Sequence, residues 1–380
     1  MTFELSAEPR RILYICDWLP PDFGAVGQYA LLASRHLTEE GADVVLGGLS
    51  SNGSSETLEQ HGSGVLKIIR LSAVPYRKDR FAERLFWTLR TNTRLVAGLL
   101  TSMRWADEVL FTGSPPLLLH WIAPLNLLLR KRLIYRITDF HPECLMAARE
   151  RPSLPLSVVY RLTLFWRRRV DAFEVLGHDQ RRRLEEIGIP PERIGIKRNP
   201  SPVPVPLDTL ALPRPDAYGG KVLLLYSGNW GVAHDHKTFI EGYRLHHQEG
   251  TGRVVLWLNA VGANARVVAD ALSRLGLPTA RGTPCPLDQL AHLLVTPDAH
   301  LITLSDSFVG YVLPSKVHGC IASRKPILFV GNARSDVHLL CSEAVESCYQ
   351  RVDVGDVVGC VSTLERLADF VEARNLVQTE

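Results

Sequence analysis

RILYICDWLPPDFGAVGQYALLASRHLTEEGADVVLGGL, residues 11–49, decides the fold. Its opening, RILYICDW, is a near-continuous apolar run of the kind that a strand buried on both faces requires. A turn carrying Gly24 and Gly27 follows. Beyond it Leu31, Leu32, Ser34 and Leu37 recur at helical spacing, and Gly41 suits the helix C-terminus. DVVLGGL is a second strand. Strand, Gly-bearing loop, helix and strand make a βαβ unit, and such units build parallel sheets.

The same alternation continues outward from this unit. GVLKIIRL, EVLFTG, RLIYRITD and DAFEVLG are short strands separated by helical stretches. At residues 198–221 the texture changes to RNPSPVPVPLDTLALPRPDAYGGK, whose Pro content predicts an extended linker. Then KVLLLYSGN, RVVLWLNAVG, AHLITLSD and PILFVG restart the alternation with helices between them. A length of 380 residues exceeds one typical domain. The expected architecture is therefore α/β, with two Rossmann-like, doubly wound domains facing a central cleft. Open sheets of this kind bind ligands beyond the C-terminal ends of their strands.

Bulk composition narrows the class of partner. Hydrophobic residues make up 46% and charged residues 22%, as in ordinary globular proteins. A net charge of +3 from 43 Lys+Arg and 40 Asp+Glu gives no bulk reason to expect nucleic acid. Seven Cys without paired spacing predict neither a disulfide framework nor a zinc site, so the thiols read as reduced and the chain as cytoplasmic. The N-terminus lacks the basic-then-apolar order of a signal peptide. The most apolar segment, SPPLLLHWIAPLNLLLRKRL at residues 114–133, is interrupted by His120, Pro124 and Asn126. Its unbroken part falls short of the roughly 20 residues that a membrane span needs, and it reads as buried strand and helix.

Four loops carry candidate chemistry. Gly24 and Gly27 precede a helix, whose unpaired N–H groups suit a diphosphate; a plain βα turn would also need small residues there. The spacing is not the G-x-G-x-x-G of dinucleotide sites. In SDSFVGYVLPSKVHGCIASRKPILFVG, residues 305–331, Pro314 and Ser315 suit a helix start, and Lys316 puts a cation beside it. A Lys there opposes the helix dipole unless an anion sits between them. YRITDFHPECLMA, residues 135–147, gathers Asp139, His141 and Glu143, which suit hydroxyl orientation or proton transfer. The alternative is that Asp139 caps and His141 packs. YSGNWGVAHDHKTF, residues 226–239, ends a strand in a polar, Gly-jointed loop. Its AHDHK cluster is open between a metal site, ligand contacts and a solvated loop. No Asp-x-Asp pair, Walker-type phosphate loop or nucleophile elbow is present.

Two further segments interleave Arg with apolar residues. YRKDRFAERLFWTLRTNTRLVAGLL spans residues 76–100 and YRLTLFWRRRV spans 160–170. Helices of this composition either lie on an anionic bilayer or simply cover the sheet.

In their order along the chain, PPDFGAVGQYALLASRHLTEEGADVVL, TDFHPE, YSGNWGVAHDHKTF and VLPSKVHGCIASRKPIL resemble the GT-B glycosyltransferases, specifically the family 4 retaining enzymes of bacterial exopolysaccharide, colanic-acid or O-antigen synthesis. The resemblance implies an acceptor-binding domain over residues 1–200, a linker over 201–220 and a nucleotide-sugar domain over 221–365. It also implies a C-terminal helix or tail over 366–380 that packs back on the first domain.

By the same resemblance, Gly228, Asn229, Lys237, Gly282, Ser315 and Lys316 would hold a UDP- or GDP-sugar, with Gly24 and Gly27 near its phosphates. Asp139 and His141 would act at the acceptor, and Glu143 would bind it. The nucleotide sugar is a substrate, so no cofactor is implied and no bound metal is required. The acceptor would be a saccharide or a polyprenyl-linked saccharide, handled in the cytoplasm or at the inner face of the cytoplasmic membrane. Many members carry two Glu with seven residues between them, where this chain has Tyr311 and Gly319. That departure keeps two other readings in view: a GT-B nucleotide-sugar epimerase, or a scaffold with altered catalysis.

Overall fold

The computed structural model describes residues 9–22, 24–74, 81–149, 151, 153–215, 220–283, 285–344 and 348–379. The chain divides into two compact units. One comprises Met1–Leu176 with Arg181–Arg198, the other Gly177–Gln180 with Asn199–Glu380.

The first unit is built from β1 (Arg11–Trp18), α1 (Ala25–Glu39), β2 (Asp43–Ser50), β3 (Ser55–His61), β4 (Gly64–Ser72), α2 (Phe81–Gly98), α3 (Leu100–Trp105), β5 (Glu108–Thr112), α4 (Leu119–Leu129), β6 (Arg132–Ile137), α5 (Glu143–Ala147), α6 (Leu154–Arg167), β7 (Ala172–Val175), α7 (His178–Glu186) from Arg181 onward, and β8 (Ile194–Ile196). Its sheet runs β3-β4-β2-β1-β5-β6-β7-β8 and is parallel except for the β3–β4 pair. The apolar runs of β1 and β2 are buried on both faces, as parallel strands under helices must be.

Helix α1 forms where its spacing predicted, with Ser34 buried and Leu31 and Leu37 packed against the core, and only Leu32 of the expected stripe turned outward. The buried positions include Gly27, Ala30, Ser34 and Thr38, while Leu32 is left exposed. Small residues let the helix axis approach the strands closely. A Cβ at Gly27 would lie 1.8 Å from the carbonyl oxygen of Trp18. Gly41 ends the helix at φ +92°, a conformation that favours glycine. The segment 114–133 becomes α4 and the start of β6. Its Leu127 and Leu128 are exposed, so it is not wholly buried as expected. No described helix is long and apolar enough to cross a membrane.

The second unit contains β9 (Val222–Asn229), α8 (Lys237–Gln248), β10 (Val254–Val261), α9 (Ala263–Arg274), β11 (Thr279–Arg281), α10 (Leu290–Val295), β12 (Ala299–Thr303), α11 (Lys316–Ala322), β13 (Ile327–Val330), α12 (Asp336–Ala344), β14 (Tyr349–Val352) and α13 (Val357–Thr379). All strand pairs are parallel, in the order β11-β10-β9-β12-β13-β14. Its core joins strand residues such as Leu224, Tyr226 and Leu256 to Trp230, Phe239 and Tyr243 from the following loop and helix.

Two details differ from the sequence reading. The Pro-rich stretch through residue 215 forms no helix or strand but is anchored. Arg214 makes a bidentate pair with Asp298 (2.6 and 3.1 Å), and the Leu212 amide donates to Thr296 Oγ1. The C-terminal residues were expected as a helix or tail from 366, and the helix begins earlier, at Val357. They continue a single helix, α13, that packs on α8 and β14 of its own unit.

Candidate functional site

In the second unit, the strand ends bring several predicted residues to one edge. β9 runs out at Gly228, which has φ +98° and nothing within 4 Å of where a Cβ would sit. Asn229 follows, exposed, in register with Val261 of β10. Gly262 begins the next turn at φ +108°. A Cβ there would fall 2.3 Å from Asn229 Oδ1, so only glycine lets the two turns nest. Asn264 then donates from Nδ2 to the Gly231 and His234 carbonyls (2.9 and 3.1 Å), which fixes the loop.

Beneath this loop the AHDHK cluster resolves into structural roles. His234 is buried, and its Nδ1–H donates to the Thr303 carbonyl at 2.6 Å. Burial, with the neighbouring Lys316 charge, holds its imidazole down at about 3, so it stays neutral. Asp235 accepts the Thr238 amide at 3.1 Å and caps α8. Lys237 stands exposed at the first position of that helix. Among the described residues no group of three or more His, Cys, Asp or Glu is placed to hold a metal ion.

Lys316 is the residue that stands out. Its Nζ lies 3.2 Å from the centroid of the Tyr226 ring and is buried, with no hydrogen-bond partner among the described residues. Trp230 stacks on Tyr226 with centroids 3.7 Å apart, so the ammonium takes the opposite ring face. Burial pushes the lysine well below its ordinary range. A desolvated cation–π contact returns on the order of 2 kcal/mol, and it leaves the N–H donors of Nζ without an acceptor among the described residues. Ser315 precedes it, exposed, and makes no side-chain cap.

A second unsatisfied atom lies near the same edge. Asn259, near the end of β10, has a buried Oδ1 without a partner among the described residues. Gly282 packs against it: a Cβ there would sit 3.1 Å from Asn259 Cβ and 2.9 Å from Trp257 Nε1. Gly319 lies elsewhere, buried on α11, where a Cβ would meet Leu294 Cδ1 at 3.1 Å. Any side chain added there would press on the Leu294 side chain of α10.

In the first unit, Gly24 is the N-cap of α1, in extended backbone. Gly27 serves helix–strand packing, as described above. Asp139 follows β6, and burial raises its carboxyl to about 6. Asp17, near the end of β1, is also raised to about 6, chiefly by burial, against opposing backbone hydrogen bonds and with a further push from the Asp139 charge. One Asp17 oxygen is buried without a partner among the described residues. The two carboxyls sit at the ends of β1 and β6, with β5 between them, and the Asp139 charge still acts on Asp17.

The loop between Asp139 and α5 is held by a single arginine. Arg167 of α6 is fully buried and binds both oxygens of Glu143, one at 3.1 Å, and the His141 carbonyl at 3.1 Å. It also lies 5.1 Å over Phe140. Glu143 was expected to bind acceptor, but its carboxylate is instead spent on Arg167 and turned inward, which makes it part of the loop's frame. Sequence reasoning missed the Tyr226 seat, Asn259, Asp17 and Arg167. Asp17 and Asn259 carried a usable signal, since each is a polar residue near the end of an otherwise apolar strand.

Two parallel-sheet, Rossmann-like units define the GT-B fold, and solved structures of that fold align over nearly the whole chain. An α,α-trehalose-phosphate synthase (UDP-forming) from Burkholderia vietnamiensis is 12% identical with a TM-score of 0.60, covering 97% of this chain and 95% of its own. HepE of Anabaena, in complex with UDP-glucose, is 12% identical with a TM-score of 0.61, covering 95% and 92%. The E. coli trehalose-6-phosphate structure bound with UDP-2-fluoro glucose is 12% identical with a TM-score of 0.57, covering 96% and 95%. No protein-family model matches the chain, and no curated protein matches it.

Proposed function

We propose that this chain is a retaining glycosyltransferase that moves a sugar from a UDP- or GDP-sugar to a saccharide or lipid-linked saccharide during synthesis of a cell-surface polysaccharide. The observation that carries the reading is the buried Lys316 Nζ, which has no hydrogen-bond partner among the described residues. Such a group is expensive in a folded protein, and an incoming diphosphate is the ligand that would satisfy it. Gly228, two residues beyond Tyr226, has open space where a Cβ would sit, which suits close approach of a phosphate, and the Asn259 oxygen beside Gly282, without a partner among the described residues, offers an acceptor to the base. The UDP-glucose held by the Anabaena protein makes UDP the first base to test.

In this reading the bond from the anomeric carbon to the diphosphate oxygen breaks while the acceptor oxygen bonds to the same face of that carbon. The acceptor proton passes to the departing phosphate oxygen. Lys316 and the loop amides stabilise the leaving diphosphate, while Asp139 and His141 orient the acceptor hydroxyl. The nucleotide sugar is a substrate, and the proposal calls for no cofactor. A lipid-linked acceptor would place the reaction at the inner face of the cytoplasmic membrane.

Product analysis tests this directly. Nucleotide diphosphate should be released, with retained configuration in the product, only when an acceptor is supplied. A rearranged nucleotide sugar formed from donor alone would make the chain an epimerase. No turnover with any UDP- or GDP-sugar would favour the scaffold reading that Gly319 raises.

A further inference from the structure

We infer that the outer surface of α2, α4 and α6 docks this chain on an anionic lipid bilayer, an assignment that does not depend on the donor site. Helix α6 is inverted relative to an ordinary surface helix. It buries Thr163 and Arg167 and shows solvent Leu154 (85% exposed), Val158 (63%), Leu162 (45%) and Phe165 (44%). Those four lie four, four and three residues apart, along one helical face. Its neighbours extend the patch, with Leu127 and Leu128 exposed on α4 and Leu85, Phe86 and Leu89 on α2.

The three helices form one layer. Trp121 Nε1 of α4 donates to Thr93 Oγ1 of α2 at 3.0 Å, and His120 Nε2 meets Thr163 Oγ1 of α6 at 3.2 Å. The exposed leucines and aromatics are therefore fixed in place and not the product of fraying. Exposed apolar surface on this scale marks a contact site.

Charge selects the occupant. Helices α4 and α6 contain no acidic residue. Arg90, Arg94, Arg130, Arg161, Arg168 and Arg169 are exposed around the apolar stripe, and none joins an ion pair with another described residue. Arg169 lies 3.6 Å over the Phe165 ring, which keeps a cation next to the apolar stripe. Apolar side chains bordered by arginines match the boundary between acyl chains and anionic headgroups. A second copy of the chain fits poorly, because a two-fold interface would set this arginine-rich patch against itself.

Sedimentation of the full chain with vesicles tests the inference. Binding is expected to vesicles containing phosphatidylglycerol, to be at least tenfold weaker with phosphatidylcholine alone, and to weaken as salt is raised. Leu162→Ser/Phe165→Ser and, separately, Arg161→Glu/Arg168→Glu/Arg169→Glu should each reduce binding about tenfold or more, with the thermal midpoint and nucleotide binding unchanged. Absence of binding to phosphatidylglycerol vesicles, or full binding by both variants, overturns the inference. So does a concentration-dependent dimer of the wild-type chain that these substitutions abolish.

Discussion

At the residue scale, Lys316 sets a local conflict between stability and ligand binding. The ligand-free protein keeps the Lys316 Nζ buried on Tyr226 with no hydrogen-bond partner among the described residues. A buried donor without a partner costs about 1–3 kcal/mol, which an apolar side chain of similar volume avoids. Lys316→Met is therefore expected to raise the thermal midpoint, by about 2–4 °C per kcal/mol in a domain of this size. A lower midpoint in a differential scanning experiment would mean that the lysine serves packing. The sequence placed Lys316 at a helix start but not its seat, because Tyr226 is ninety residues away and reads as ordinary core.

Asp139 and Asp17 make a second residue-scale case. Burial raises both to about 6 in the folded chain, above the range of about 4 for an unfolded Asp. A raised carboxyl favours the protonated folded state. Its contribution is therefore fully present below about pH 4 and is lost as pH climbs through about 6. If ionised Asp139 orients the acceptor, turnover should fall below about pH 6. Asp139→Asn should abolish that limb, lower turnover more than donor affinity, and gain stability relative to wild type above pH 6. A pH–rate profile with the same acid limb in wild type and variant would remove Asp139 from the reaction.

At the scale of elements, α6 explains why TDFHPE is an ordered loop. Arg167 reaches from its buried face to Glu143 and the His141 carbonyl. Removing one member of a buried pair strands the other, at about 3–5 kcal/mol. Arg167→Ala should accordingly cost about that much in denaturant unfolding and depress turnover through the displaced loop. A change under about 1 kcal/mol would show the pair to be dispensable. Nothing in the sequence joined Glu143 to an arginine 24 positions later, so the motif suggested an exposed, ligand-facing acid. Helix α1 illustrates the opposite limit. Its existence and Gly41 stop were legible from spacing, as was the inward side of Leu31, Ser34 and Leu37, while the close approach of Gly27 to Trp18 was not.

At the scale of the whole molecule, the βα alternation was enough to read two doubly wound parallel sheets, because strands buried on both faces leave unbroken apolar runs. Elements without that signature were missed. β3, SETLEQH, is almost wholly exposed and is held by its antiparallel pairing to β4. The Pro-rich stretch looked free because Arg214 and Asp298 are distant in sequence. The site was legible as a set of strand-end loops and much less so as contacts, since the decisive partners come from different strands. Calorimetric titration of UDP and GDP into wild type and Lys316→Met decides whether the second unit grips a nucleotide diphosphate through this lysine. Wild type should bind one of the two, and the variant should bind it about 5- to 150-fold more weakly, the equivalent of about 1–3 kcal/mol for a charge-assisted hydrogen bond. Equal affinity in the two proteins, or no binding of either nucleotide by wild type, would contradict it.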